Sequence, residues 1–350
     1  MFPYFILLLI PSVFAVFNTQ RLSRALWWIT FAIFVLFIGL RHEVGPDWMQ
    51  YNYIHTTLAY NDFWDVAIQA EPLSYLLFWI SESLGFDVYM SNVVAAIIVM
   101  TGVFAFARRT ANPWLAVISA TPYFIIVMGM SGVRQSMAAG VVLFLFSRWE
   151  RNTLITRAFY ILGAAAFHTS ALINNIFLVI KMQIAMRYKI VLGMFILAVT
   201  LYFSFQVPIY SENIVRYQQR YLESSFVEKS FGSIYHIAMI AVPAILGFAY
   251  RKRITPYIHS ESLLYFGLYA SLSVFLINFV SSTAASRLTI YLYFVPMMVY
   301  PALISMYGKR SQTILMLAMI AFHMFILLLW FSFGNHAYAY LPYKNLLFND

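Results

Sequence analysis

Three observations predict an all-α polytopic membrane protein. Of the 350 residues, 62% are hydrophobic and only 10% are charged, and the mean hydropathy is +0.76. Apolar runs close to the roughly 20-residue length that crosses a bilayer core recur along the chain, at 25–40, 91–107, 233–249, 261–280 and 312–331, with no strand-like alternation beside them. The basic residues cluster between the runs, and the acidic residues gather in other segments.

Taken in order, the first apolar run lacks a basic leader region and a small-residue cleavage site, so it is expected to be the first helix rather than a signal peptide. The run at 25–40 ends at a charged stretch, and residues 41–90 form one outward-facing segment. Within it, "PLSYLLFWISESL" at 72–84 is short for a span and carries Glu82, which predicts an outer interfacial or re-entrant helix. Residues 158–180 are expected to be two short pieces bending outward around "FHTS", because one uninterrupted span would put Lys181, Arg187 and Lys189 on the wrong side. A second outward loop covers 206–232. The result is about ten full spans plus two short pieces, 10 to 12 transmembrane helices, in a single integral membrane domain over 1–350 with both ends outside. No soluble domain, linker or repeat interrupts it.

The net charge of +9 is explained by orientation. Clusters at Arg21/Arg24, Arg108/Arg109, Arg148/Arg151/Arg157, Lys181/Arg187/Lys189, Arg251/Lys252/Arg253 and Lys309/Arg310 hold 15 of the 22 Lys and Arg; the positive-inside rule assigns them to the cytoplasm. Eleven of the 13 acidic residues fall in 41–90, 206–232 and the tail. A charge sorted in this way is no nucleic-acid footprint.

The cations left on the outward side are informative. Arg41, Arg134 and Arg287 each sit at the edge of an apolar run, where a guanidinium either snorkels to water or lines a polar cavity. Three of them on one side of a charge-poor chain point to a shared anionic ligand, and the planar fork of Arg suits diphosphate oxygens. In "SENIVRYQQRYLESS", Arg216 and Arg220 share a helical face, as do Tyr217 and Tyr221. That pattern fits an amphipathic helix lying on the membrane as well as a sugar-phosphate site. His168 in "AAAFHTSALI" is a polar residue in an apolar run, which favours a functional role over plain packing. Gly45 and Pro46 force a tight turn that brings Glu43 and Asp47 beside Arg41. Either carboxylate can orient a sugar hydroxyl or accept its proton, and Asp47 can equally cap the helix starting at Trp48.

The exclusions are as useful. The chain has no cysteine, so thiolate catalysis, thiolate metal sites and disulfides are ruled out. No HExxH, phosphate-binding glycine loop, EF-hand run or close His/Asp cluster supports nucleotide chemistry or metal hydrolysis.

"RHEVGPDWMQYNY", Glu71 after it, "RQSMAAG", "FHTSAL", "SRLTIYLYFVP" and "LPYKN" occur in that order from residue 41 to residue 345. In this set the chain resembles the EpsG-like family of bacterial polysaccharide polymerases, related to the Wzy-type O-antigen polymerases. Trp48 stands where the family usually has Tyr. The resemblance implies a glycosyltransferase of the GT-C type in the bacterial inner membrane, active on the periplasmic face without metal or other cofactor. It would transfer the growing glycan from undecaprenyl diphosphate to a sugar hydroxyl of the next lipid-linked repeat unit. His168, Asp47 and Glu43 are the catalytic candidates; Arg41, Arg134, Gln135, Arg216, Arg220, Arg287, Tyr51 and Tyr217 are the substrate-binding candidates. Implied partners are the lipid-linked oligosaccharide, membrane lipid and a chain-length regulator protein. An O-antigen ligase with the same donor is the nearest alternative. From other classes stand a polysaccharide flippase or transporter, and a membrane acyltransferase that would use His168.

Overall fold

Each long apolar run becomes a helix, because a backbone surrounded by apolar side chains must satisfy its own hydrogen bonds. The computed structural model describes residues 1–17, 23–179, 182, 184–206, 231–279, 285 and 288–348. In chain order the helices are α1 (Phe2–Val16), α2 (Arg24–Gly39), α3 (Trp48–Leu58), α4 (Phe63–Ala67), α5 (Pro72–Ser83) and α6 (Asp87–Ala107). Next come α7 (Pro113–Ala120), which continues as a π-helix over Thr121–Met128, then α8 (Val133–Ser147), α9 (Leu154–Phe167) and a 3-10 helix at Thr169–Val179. The rest are α10 (Met186–Gln206), α11 (Phe231–Ala249), α12 (Arg251–Ile254), α13 (Glu261–Ile277), α14 (Phe294–Ser305) and α15 (Lys309–Phe333). Short 3-10 turns precede α13 and α14 and follow α15. Among the described residues the only β-pairing is an isolated bridge between Arg41 and Asn345.

The expected 72–84 helix is α5, and the 158–180 run is broken at His168 into α9 and the 3-10 helix. Among the described residues, α6 and α15 have the length and apolar content to cross a membrane on their own, and nine shorter apolar stretches of 10–17 residues accompany them. Several starts follow ordinary capping chemistry. Ser23, Asn112, Thr153 and Ser260 each accept a hydrogen bond from a first-turn N–H of the helix they precede. Pro72 and Pro113 occupy the first helical position, where a missing N–H costs nothing.

Helices α6 and α8 form the axis of the core and run parallel. A Cβ on Gly102 would lie 2.1 Å from the Gly140 carbonyl oxygen, so only glycine allows the two backbones to touch there. Ala95 packs near the start of α8 with Val133 and Met137. The pair therefore has two chemically distinct ends. Asn92 and Arg134 mark one, and Arg108, Arg109 and Arg148 mark the other, about 30 Å away for a helix of this length. Large apolar side chains also cover the outside of the bundle, including Ile29, Phe159, Leu162, Ile245 and Phe325. A water-facing surface does not carry that much contiguous apolar area; a lipid-facing one does.

Candidate active site

At the Arg134 end, the turn after α2 is built by the far end of the chain. Gly45 has φ +105°, and a Cβ there would lie 2.3 Å from the Met130 carbonyl oxygen. The Gly45 N–H donates to Ala339 (2.8 Å), the His42 N–H to the Lys344 carbonyl (3.1 Å) and the Leu346 N–H to the Leu40 carbonyl (2.9 Å). The last carbonyls of α2 are satisfied by side chains: Leu36 by Asn345, Phe37 by the Tyr343 hydroxyl and Ile38 by Arg41. Thus "RHEVG" and "LPYKN", some 300 residues apart, are one structural unit.

Arg41 is 2% exposed. Its Nη1 donates to the Ile38 carbonyl at 2.7 Å, its Nη2 to Asn92 Oδ1 at 3.0 Å and its Nε to the Val44 carbonyl at 3.2 Å. It is the clamp of the turn. Glu43 is exposed and accepts from Lys344 Nζ at 2.6 Å, and that bond, followed by the Lys344 and His42 charges, lowers its carboxyl below the ordinary range. Asp47 occupies the position before α3 but makes no capping bond; its Oδ2 accepts from Ser131 Oγ at 2.9 Å. Ser131 sits in the tight turn leading into α8, so the carboxylate ties that turn down in place of capping its own helix.

Three chain segments converge on Glu71, which is nearly fully buried. Pro72 starts α5 and leaves Glu71 just outside it, aimed back toward the neighbouring helices. One oxygen accepts from Arg134 Nη1 at 2.6 Å. The other is hydrogen-bonded to His168 Nδ1 and also accepts from the Thr169 N–H (3.0 Å) and the Thr169 hydroxyl (3.2 Å). These donors are available because α9 stops: His168 is extended at φ −157° and ψ 122°, which leaves the Thr169 N–H outside a helical ladder. The break is anchored by Ser74 Oγ, which donates to the Phe167 carbonyl at 2.7 Å. Arg134 lies in the first turn of α8, where Nη1 also donates to the Tyr75 hydroxyl (3.3 Å) and its guanidinium sits 5.6 Å from the Tyr75 ring centre. Its Nε is buried and unpaired.

The electrostatics keep Glu71 ionised. Burial by itself raises the carboxyl, but the His168 ring, then Arg134 and the Thr169 N–H outweigh it and bring it down to about 2. A carboxylate bound to Nδ1 fixes the imidazole tautomer with the proton on Nδ1, which makes Nε2 the basic nitrogen. The arrangement is a carboxylate–histidine pair set against an arginine. It can accept a proton, donate a hydrogen bond and hold an anion within one site.

Of the residues expected from sequence, His168, Arg134 and Tyr51 come together, with the Arg134 N–H reaching the Tyr51 hydroxyl at 3.5 Å. Arg41 is engaged with the Ile38 and Val44 carbonyls and Asn92 in the neighbouring turn. Asp47 faces Ser131, three residues before Arg134, and Glu43 stands at the exposed rim with Lys344. Gln135 is buried next to Arg134 in α8. Arg216, Tyr217, Arg220 and Arg287 lie outside the described residues; of the segment after Arg287, Tyr291 meets the Ser170 hydroxyl at 2.7 Å. The resemblance includes Glu71 but attaches no role to it; Thr169, with Ser170, marked a bend beside His168 in the sequence, and Tyr75 carried no signal. The one sequence signal for Glu71 was its place directly before Pro72, at the head of an apolar helix.

The family model that matches this chain is that of the EpsG family, over residues 24–345, nearly its whole length. The chain belongs to the EpsG family. Neither the curated proteins nor the solved structures contain a match. EpsG membership carries the coarse assignment, a membrane protein of polysaccharide biosynthesis with a polymerase-like role. All the residues of the Glu71 cluster fall inside the matched region of this EpsG chain.

Proposed function

We propose that this protein is a Wzy-type polysaccharide polymerase, a glycosyltransferase of the inner membrane whose site opens to the periplasm. Its substrates are two undecaprenyl-diphosphate-linked oligosaccharides, one carrying the growing glycan and one carrying the next repeat unit. The observation that carries the reading is the buried Glu71 carboxylate, held between His168 and Arg134 where three chain segments meet.

In the proposed reaction the acceptor sugar hydroxyl approaches the anomeric carbon of the growing glycan. The bond from that carbon to the diphosphate oxygen breaks as the bond to the acceptor oxygen forms. The acceptor proton passes to His168 Nε2, while Glu71 holds the ring in place through Nδ1. Undecaprenyl diphosphate leaves with its charge facing Arg134, whose buried, unpaired Nε is a donor without a protein acceptor. Arg287, and Arg216 with Arg220, are further cation candidates for the diphosphate on sequence grounds. Tyr51, Tyr75 and Tyr217 supply rings for sugar faces, and Gln135 supports the Arg134 turn. Asp47 holds the mouth of the site, and is the second base candidate.

The lipid-linked glycans of a strain lacking the gene test this reading. Single repeat units remaining on the carrier are the expected outcome. Full-length chains accumulating on the carrier would make the protein a ligase, and loss of periplasmic units would make it a flippase.

A further inference from the structure

On the flank of the Glu71 site runs an apolar groove of about 330 Å³ lined by Leu73, Val141, Thr156, Tyr160, Gly163 and Phe167, with Phe159 at its lip. Four of these residues, Thr156, Tyr160, Gly163 and Phe167, follow one another along a single face of α9 at helical spacing. The groove therefore extends for some 16 Å along the helix axis, from the basic end of α9 to the break at His168. Leu73 and Phe167 close it at that end, and they stand two residues from Glu71 and one from His168. Its outer edge is open, beside Ile155, Phe159 and Leu162, all of which are exposed on the same helix. At its middle, Gly163 leaves a notch, because a Cβ there would meet nothing within 4 Å.

We infer that this groove seats the isoprenoid chain of the donor, directly below the diphosphate held at Arg134. The inference rests on the polymerase reading and adds to it a specific tail site. A molecule with an anionic head at Glu71, His168 and Arg134 has its apolar part delivered at Leu73 and Phe167, where the groove begins. The groove is long, narrow and apolar, which suits one extended isoprenoid chain better than the paired chains of a phospholipid. A chain that enters the groove from lipid exchanges one apolar surrounding for another, so its length and fit, rather than transfer from water, decide affinity.

Gly163→Phe directs a ring into the groove from a position where a Cβ meets nothing within 4 Å, and Leu162→Phe, one residue away and exposed, is the control. Purified wild-type and variant proteins are assayed with a repeat unit on undecaprenyl diphosphate and with the same unit on a single-isoprene diphosphate, too short to reach Gly163. The expected result for Gly163→Phe is a KM for the long donor raised about tenfold, equivalent to about 1.4 kcal/mol, with kcat and the short-donor KM unchanged. Leu162→Phe leaves both unchanged. In a binding arm that needs no polymerisation, a diazirine-bearing undecaprenyl diphosphate without glycan is expected to label the 154–167 peptide of wild type and lose that labelling in Gly163→Phe. Equal labelling by a diazirine phospholipid that undecaprenyl diphosphate fails to displace would make the groove an annular-lipid site and overturn the inference. Unchanged KM for both donors in Gly163→Phe would overturn it too, while wild-type polymerisation left the polymerase reading standing. Absence of polymerisation by wild type, with labelling retained, would remove the polymerase reading and leave the groove as an isoprenoid site.

Discussion

Glu71 and Arg134 form an ion pair at 2.6 Å, with 4% of the glutamate side chain and 23% of the arginine side chain exposed. Removing the arginine as Arg134→Met leaves a buried carboxylate without its cation, a loss of about 3–5 kcal/mol. Glu71→Gln leaves a partly hydrated guanidinium and is milder, about 1–3 kcal/mol. The double variant is expected to recover part of the combined stability loss without recovering long glycans. Thermal unfolding in detergent, read beside glycan length, checks both halves. Strictly additive losses would mean that the two side chains do not act as a pair.

Arg41 is expected to behave differently from Arg134. Its three nitrogens satisfy the Ile38 and Val44 carbonyls and Asn92 in a buried turn, and a lysine ammonium reaches at most part of that set. Arg41→Lys therefore lowers stability by about 3 kcal/mol or more, since hydrogen bonds to charged groups are worth about 1.5–3 kcal/mol each. A normal unfolding temperature with a raised donor KM would instead assign Arg41 to the diphosphate.

Glu43→Gln separates the rim from the centre. The Glu43–Lys344 pair is solvent-exposed, and such pairs contribute little. The variant is expected to polymerise to near wild-type length, whereas Glu71→Gln yields single units. Loss of polymer in Glu43→Gln at normal membrane levels would return Glu43 to the list of bases.

Acid is expected to destabilise the 41–90 segment in two windows. His55 is buried, and burial lowers its imidazole from 6.5 to about 4. The unfolded chain therefore takes up a proton there first, and stability falls as pH drops from about 6.5 to about 4. The lowered Glu71 carboxyl contributes stability that is complete above its unfolded value and is lost as pH falls from 4.5 toward about 2. His55→Gln is expected to flatten the upper window in unfolding measured against pH. An unchanged slope would show that His55 does not carry it.

Much of the fold was legible because an apolar run of helical length has few alternatives in lipid. The break at "FHTS" was legible from charge parity alone, since Lys181, Arg187 and Lys189 required it, and α5 from its length and Glu82. Arg134 and His168 stood out as polar residues in apolar runs. Their meeting did not, because nothing local relates residue 71 to residues 134 and 168. Glu71 looked like one of seven acidic residues in an outward segment, and burial, which makes it distinctive, is a property of the packing. Arg41 was visible in the sequence as an arginine at the edge of a span, but its Ile38 and Val44 carbonyl partners are visible only in three dimensions. The pairing of "RHEVG" with "LPYKN" was likewise hidden by the length of chain between them.

The central claim is that His168, held by Glu71, takes the acceptor proton while Arg134 receives the departing diphosphate. Purified protein in lipid nanodiscs, supplied only with the undecaprenyl-diphosphate-linked repeat unit, tests it by the rate of glycan ladder formation. The wild type is predicted to build a ladder and release one undecaprenyl diphosphate per bond formed. His168→Gln is predicted to lose about 10²–10⁴-fold in kcat, the range of a general base, with donor binding retained. His168→Ala forming ladders at the wild-type rate would contradict the account.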